Sequence, residues 1–166
     1  QVMIPEDAIH DPWGKSEPQM GRDPCRTPMA WDNGEPYGGF SRAPPWLPLH
    51  DDWTERNVAA LAADPTSLLT PYRRLIALRR QSPALQSGAY ANLGAKDDVL
   101  SFSRDAAGER FVIILNFADA ERHFRFADRN RWRVECSTGL DRDGRSEIAA
   151  GVILRPHEGL VLSGHD

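Results

Sequence analysis

The sequence predicts a mixed fold, in which an irregular and partly helical first part precedes an antiparallel β-sandwich. Three observations predict it. Most of the prolines and four of the five tryptophans fall within residues 1–56, where nearly every short window holds Pro or Gly. Apolar residues then recur at helical spacing between residues 65 and 80. From Gly88 onward the apolar period changes to two, which indicates short strands.

The first segment, residues 1–56, is too long and irregular to stand as a domain of its own. We expect loop there, with one turn of helix around residues 5–9. Its tryptophans need a surface to pack on, so residues 1–87 should present apolar surface. In isolation, these residues should associate, exchange between copies or become partly disordered. The tryptophans are Trp13, Trp31, Trp46 and Trp53.

Helices are expected next. Residues 56–63 form a short Ala-rich stretch, and Asp64 followed by Pro65 predicts an N-cap with proline at the first helical position. A longer helix is therefore expected over residues 65–80. Pro71 either kinks that helix or marks a second helix start. The breakers between residues 82 and 88 place a domain boundary between residues 87 and 88.

Residues 88–166 predict an antiparallel β-sandwich of seven short strands. The continuously apolar stretch 110–117 should be the central strand, and most strand aromatics should face inward. Ala107-Gly108 and Asp143-Gly144 predict hairpin turns. The expected strands are residues 89–93, 99–104, 110–117, 123–126, 132–137, 147–155 and 159–163.

Composition narrows the class of protein. The chain has 166 residues, 40% apolar and 27% charged, and a net charge of −4. This is a globular composition, and the acidic balance makes nucleic acid a poor partner. No apolar run is long enough to cross a membrane. The first residues lack the basic and apolar regions of a signal peptide, so a cytoplasmic location is expected.

The histidines and cysteines do not occur at the spacings typical of a metal site. The five histidines lack ligand spacing, so no metal and no cofactor are expected. Cys25 and Cys136 are far apart in sequence and belong to no CxxC motif. Both are expected to be buried free thiols.

Residues 21–32, GRDPCRTPMAWD, combine charged side chains with two prolines that stiffen the backbone. A stiff loop can hold a guanidinium where a flexible one cannot. Alternatively, the charges pair with one another and only fasten the loop. The residues alone leave both possibilities open for Arg22, Asp23, Arg26 and Asp32.

This string, with PWLPL, NVAAL, DPTSLLTPYRRLIALRRQSPAL, VIILNF and ILRPHEGLVL after it, resembles the C-terminal part of family-13 glycoside hydrolases of the α-amylase superfamily. The group most like it contains α-glucosidases, oligo-1,6-glucosidases, trehalose synthases and sucrose isomerases. The resemblance covers essentially all 166 residues. It implies that residues 1–87 are the end of a (β/α)8 barrel, with a long loop and the last barrel helices. It also implies that residues 88–166 are the antiparallel C-terminal sandwich.

Members of that family cleave or transfer α-glucosidic bonds with retention, which requires two carboxyl groups about 5 Å apart. The family string G-F-R-x-D is absent from this chain, and its two Gly-Glu pairs lie in a loop and a hairpin, at Glu35 and Glu109. No catalytic residue is therefore expected here. The chain should be inactive without an upstream catalytic barrel of the same parent polypeptide, which is its expected partner.

The resemblance implies a substrate-binding role for Arg26, which would help close the pocket around the terminal glucose of an α-glucoside. Arg22 and Asp23 would orient the same corner. The expected function is that of part of a retaining α-glucosidase-like enzyme of carbohydrate metabolism, acting on short α-glucosides. A trehalose synthase or sucrose isomerase is an alternative within the same chemistry. A non-catalytic sandwich that binds carbohydrate or braces a neighbouring domain is another, and it predicts an exposed row of aromatics.

Overall fold

The computed structural model describes residues 2–17, 20–34, 36–127, 131–144 and 148–165. Internal contacts divide the chain into two units, of which the first ends at Ser67 and the second begins at Leu68. The predicted domain boundary between residues 87 and 88 stays a prediction, because it concerns the family's domains.

The first unit is mostly irregular. It contains two short helices, α1 (Pro12–Ser16) and α2 (Val58–Ala63). The helical turn expected around residues 5–9 is confirmed as a 3₁₀ turn at Glu6–Ala8, and α1 was not expected. Helix α2 begins at Val58 because the Oδ1 of Asn57 accepts the Ala60 N–H at 2.9 Å and caps it. Two further 3₁₀ turns lie at Asp23–Cys25 and Tyr37–Gly39.

The interior of the first unit is polar. Among its described residues, the buried apolar side chains are Ala30 and Leu47 alone. Because burial of apolar surface is the main driving force of folding, this unit has almost no hydrophobic core of its own. Its large apolar side chains are instead exposed, as the sequence predicted. They include Met3, Trp13, Met20, Met29, Trp31, Phe40 and Trp46.

The second unit begins with two helices, α3 (Leu69–Gln81) and α4 (Pro83–Ser87). The predicted helix start at Pro65 is wrong, because Asp64 accepts both the N–H and the Oγ1–H of Thr66 and closes a turn of its own. Helix α3 starts late enough for Pro71 to lie in its first turn, where backbone N–H groups have no intrahelical partner. Pro71 therefore does not interrupt a helix that begins at residue 65, and α3 starts at Leu69 with Leu68 as its N-cap rather than being capped by Thr70 and Pro71.

All seven predicted strands are present, as β1 (Ala89–Lys96), β2 (Val99–Ala106), β3 (Glu109–Asn116), β4 (Arg122–Arg125), β5 (Arg131–Ser137), β6 (Gly151–Leu154) and β7 (Gly159–His165). Strands β1, β2, β3, β7 and β5 form one antiparallel sheet in that order, and β4 pairs with β6 in another. Strand β3 lies in the middle of the larger sheet, as its apolar sequence predicted.

The turn at Ala107-Gly108 is confirmed as a two-residue hairpin, with φ values of 52° and 78°. The one at Asp143-Gly144 is not a hairpin between paired strands, because it lies between β5 and β6, which belong to different sheets. A further hairpin joins β1 to β2 through Asp97 and Asp98, both at positive φ. It was not predicted because neither residue is glycine.

The hydrophobic core of the second unit lies on one face of the larger sheet, and side chains of the smaller sheet pack against it. Trp132 is fully buried and stacks on Phe126, with ring centroids 5.1 Å apart. On the opposite face, α4 packs against β2 and β3 around Ala84 and Phe111. The main cluster consists of Val112, Ile114, Trp132, Val134, Leu154, Leu160 and Leu162.

The two thiols differ. Cys136 is buried, as predicted, but Cys25 is exposed, so the prediction for Cys25 is wrong. Cys25 lies in a 3₁₀ turn of the first unit, which has almost no apolar interior to receive it.

Candidate substrate-binding corner

Two buried carboxylates organise the beginning of the first unit. Asp11 is 3% exposed and caps α1, since its Oδ1 accepts the Trp13 N–H at 3.0 Å. Asp23 is 1% exposed, and its Oδ2 accepts the backbone N–H groups of His10 and Asp11 at 2.8 and 2.9 Å. These hydrogen bonds connect residues 10–13 to residues 21–32, which we call the GRD string.

Arg22 forms an ion pair with Asp11. Its Nε donates to the Oδ2 of Asp11 at 2.6 Å, and its backbone N–H donates to the same oxygen at 3.3 Å. The Arg22 guanidinium holds the pKa of Asp11 down at about 2, and Asp11 in turn raises the pKa of Arg22. The Arg22 side chain is nevertheless 74% exposed, so its outer nitrogens face solvent in this chain.

Arg26 forms the second pair. Its Nη1 donates to the Oδ1 of Asp23 at 3.2 Å, while the arginine side chain is 43% exposed. The pKa of Asp23 is lowered, first by the hydrogen bond from the Asp11 amide. Of the four charged residues of the string, Asp32 stands apart, because its Oδ1 accepts the Gly34 N–H instead.

The loop is therefore fastened by ion pairs, and it still presents two guanidinium groups to solvent. One pair of charges within the string, Arg26 with Asp23, does fasten the loop, and the guanidinium groups of Arg22 and Arg26 are held in place and exposed. Binding of substrate by Arg26, Arg22 or Asp23 stays a prediction. Asp23 is buried, and its described hydrogen bonds all come from the protein, so its position suits orienting the corner rather than touching a sugar.

A close backbone approach brings these pieces together. A Cβ on Gly21 would lie 2.8 Å from the Cα of Gly14, which is closer than real Cβ contacts. Glycine at position 21 is thus required for α1 to lie directly against the GRD string.

A stacked pair of aromatic rings includes His10, whose backbone N–H donates to Asp23. The rings of His10 and Trp46 lie 4.2 Å apart and nearly parallel, and the Trp46 Nε1–H donates to the Ala8 carbonyl at 2.8 Å. Sequence reasoning missed both His10 and Asp11. The signal for Asp11 was available, because Asp before Pro is a typical N-cap pattern.

The absence of a catalytic pair from this chain stays a prediction. Glu109 accepts the Oγ–H of Ser82 at 2.6 Å and joins α4 to β3. Glu35, the other glutamate of a Gly-Glu pair, lies outside the described residues. No cluster of three or more His, Cys, Asp or Glu side chains suited to a metal ion occurs within the described ranges. None of the described helices is long and apolar enough to span a membrane.

Residues 6–88 match the family described as "Alpha amylase, catalytic domain". The chain belongs to the α-amylase family. The match includes the whole GRD string and both helices α3 and α4, and it ends before β1.

Curated relatives of this α-amylase family chain agree with that assignment. A probable α-glucosidase of Rhizobium meliloti is 40% identical over 113 residues, which are 67% of this chain and 20% of the relative. An oligo-1,6-glucosidase of Parageobacillus thermoglucosidasius is 34% identical over 145 residues, 85% of this chain and 25% of the relative. A trehalose-6-phosphate hydrolase of Bacillus subtilis is 32% identical, over 84% of this chain and 25% of the relative.

A solved structure is also similar. The trehalulose synthase MutB of Pseudomonas mesoacidophila matches with a TM-score of 0.73 and 28% identity, over 87% of this chain and 26% of MutB. The α-amylase family chain thus spans about a quarter of the length of these relatives.

Proposed function

We propose that the chain is the C-terminal part of a retaining α-glucosidase-like glycoside hydrolase that acts on short α-glucosides. In this proposal residues 1–87 complete a (β/α)8 barrel, and residues 88–166 form the C-terminal β-sandwich. The nucleophile and the acid lie on polypeptide outside these 166 residues. The identity to several α-glucosidase-type relatives, of which the matched residues make up only 20% and 25%, supports this division.

The distribution of apolar side chains supports an upstream barrel as partner. Leu68, the N-cap residue of α3, and Tyr72 and Ile76 within the helix follow one another at spacings of four and are exposed. Leu78, on the same helix, packs against the strand cluster instead. A helix with apolar residues on two faces is suited to lie between two packed layers, and the described residues supply a layer on the Leu78 side alone.

The observation that carries the proposal is the pair of solvent-facing arginines, each anchored to a buried carboxylate. A guanidinium held in this way presents several N–H donors in a fixed plane. Such donors suit neighbouring hydroxyl groups of a sugar ring. Placed at the end of a pocket, they favour attack on one terminal glucose.

In the proposed reaction, two carboxyl groups of the barrel flank the glycosidic bond, and one of them forms a covalent glycosyl intermediate. The residues of this chain take no part in that bond breaking. Arg26, together with Arg22 four residues before it, binds and orients the terminal glucose. Asp23 keeps Arg26 in place.

The experiment uses the full natural polypeptide that carries these residues, assayed with a p-nitrophenyl α-glucoside. Arg26→Ala should lower kcat/KM by about tenfold or more, because charge-assisted hydrogen bonds to substrate are lost. Arg56→Ala is the matched control, since Arg56 is an exposed arginine of the same unit that is paired to Asp52. Equal effects of the two variants would contradict the role of Arg26. Turnover by the 166-residue chain alone would contradict the placement of the catalytic groups.

A trehalose synthase or sucrose isomerase is the second candidate, and the likeness to trehalulose synthase favours it. Product analysis with sucrose distinguishes the two. Release of free glucose and fructose supports hydrolysis, and formation of an isomeric disaccharide supports isomerisation.

A sandwich that only binds carbohydrate is not favoured. Tyr90 and Phe117 are exposed, contrary to the inward faces predicted for most strand aromatics. However, Tyr90 pairs with Arg104 near the far end of β2, whereas the Phe117 N–H bonds to Asp98 beside the β1–β2 turn. They do not form a row. A cytoplasmic location and the lack of a nucleic-acid partner stay predictions, which cell fractionation and a heparin column test.

A further inference from the structure

We infer that Asp11 is a positioning residue, which fixes the guanidinium of Arg22 and links it to the anchor of Arg26. The inference rests on the proposed function, because it assigns Asp11 a role in binding the terminal glucose. Asp11 belongs to no part of the GRD string and lies ten residues before it.

The first argument is the number of contacts that Asp11 makes. Its Oδ1 caps α1 through the Trp13 N–H, and its Oδ2 accepts two donors from Arg22. Its own N–H donates to the Oδ2 of Asp23 at 2.9 Å. Asp11 is therefore bonded to a helix, to one arginine and to the carboxylate that holds the other arginine.

The second argument is burial. The Asp11 side chain is almost fully buried, so water does not easily replace a lost partner. A buried carboxylate that is ionised needs compensating donors, and the Arg22 Nε at 2.6 Å is the charged one. The pKa of about 2 means that this charge persists at any pH at which the enzyme would work. The pair therefore holds Arg22 in place under working conditions.

The third argument concerns what Asp11 leaves free. The described contacts of Arg22 use its backbone N–H and its Nε, both toward Asp11. Within the described part of the chain, Nη1 and Nη2 of Arg22 make no hydrogen bond, and the side chain is largely exposed. An arginine fastened through Nε keeps the two outer nitrogens for a ligand, and their spacing suits two adjacent hydroxyls.

The test is a double-mutant cycle in the full natural polypeptide with a p-nitrophenyl α-glucoside. Asp11→Asn keeps the size of the side chain and the oxygen that caps α1. Its amide NH2 group would face the Arg22 Nε–H, so that two donors would meet. We expect it to lower kcat/KM by about tenfold, mainly through KM. Arg22→Ala should cost a similar factor, and the double variant should be no worse than Arg22→Ala within about twofold.

Asp51→Asn is the matched control, since Asp51 is an exposed aspartate of the same unit. Assays are run below the melting temperature of every variant, so that a merely structural loss does not enter. The inference is overturned if Asp11→Asn resembles the control in kcat/KM, or if its effect adds fully to that of Arg22→Ala. A merely structural role would lower Tm and leave KM unchanged.

A second measurement needs neither turnover nor a folded Asp11 variant. The Arg22 Nε–H signal, assigned in ¹⁵N NMR by its loss in Arg22→Lys, should exchange slowly with water and keep its shift from neutral pH down to about pH 3. Fast exchange would overturn the inference. If the wild type shows this signal but turns over no α-glucoside, the proposed function fails, and with it the role in the reaction, while the ion pair stands.

Discussion

At the scale of single residues, the first unit is held by carboxylates where most proteins use apolar side chains. Asp11 and Asp23 are buried and accept hydrogen bonds from backbone amides and arginines, while Ala30 and Leu47 are the buried apolar residues found among the described ones. Stability that depends on ionised groups also depends on pH.

The acid sensitivity of Asp11 is therefore predictable. Its pKa is about 2 in the folded chain and 3.8 as an ordinary carboxyl group, so the unfolded chain binds more protons between these values. Stability rises with pH in that window and is lost as pH falls through it. We expect Asp11→Asn to lower Tm at neutral pH, with a gap from wild type that is constant down to about pH 5 and closes between about pH 4 and pH 2.

Calorimetry across that pH range measures the gap. Asp141→Asn is a matched control in the second unit, because Arg155 lowers the pKa of Asp141 to about 2 in the same way. A gap for Asp11→Asn that stays constant into strong acid would contradict the assignment of its charge.

The ion pairs of residues 21–32 were predicted only in part from the sequence. The stiff, charged character of residues 21–32 predicted a loop that holds guanidinium groups, and the structure contains both ion pairs. The partner of Arg22 was not predicted, because a contact between residues 11 and 22 depends on the backbone approach at Gly14 and Gly21. Sequence spacing does not report such tertiary contacts.

At the scale of elements, strands were predicted better than helix starts. Alternation of apolar and polar residues predicted most of the described strands, because successive side chains point to opposite faces of a sheet, and β3 was predicted from its continuous apolar run. The start of α3 was misplaced because Asp64 followed by Pro65 suits both an N-cap and a local turn. Only the bonds to Thr66 distinguish the two.

The hairpin between β2 and β3 gives a prediction at this scale. Ala107 has a φ of 52°, which is costly for a residue with a Cβ, whereas Asn tolerates it. Ala107→Asn should raise the free energy of unfolding by about 0.5 kcal/mol, and Ala107→Val should lower it by about 1 kcal/mol. Urea unfolding followed by circular dichroism measures both. Equal signs for the two substitutions would contradict a left-handed Ala107.

At the scale of the whole molecule, the strands of the second unit are well packed, whereas the first unit and α3 expose large apolar side chains. The strands enclose a core around Trp132 and Ile114. Trp13 and Trp31 in the first unit, and Tyr72 on α3, are exposed. Large exposed apolar side chains favour association in water.

We therefore expect the isolated 166-residue chain to self-associate. Sedimentation velocity at increasing concentration should show a rising average mass. Tyr72→Gln with Ile76→Gln, which removes two exposed apolar side chains of α3, should shift the chain toward the monomer. Arg73→Gln with Ala77→Gln, on the same helix, is the matched control. A wild-type chain that stays monomeric throughout would contradict the expectation.

The contrast between the two cysteines provides a natural reporter. Burial raises the pKa of the Cys136 thiol, whereas Cys25 is exposed in the turn between Arg22 and Arg26. A maleimide fluorophore added to the native chain would therefore attach at Cys25 without any engineered mutation. In the full polypeptide, the proposed binding of a sugar by Arg26 would then change the emission of this label, giving a titration of ligand binding that is independent of hydrolysis.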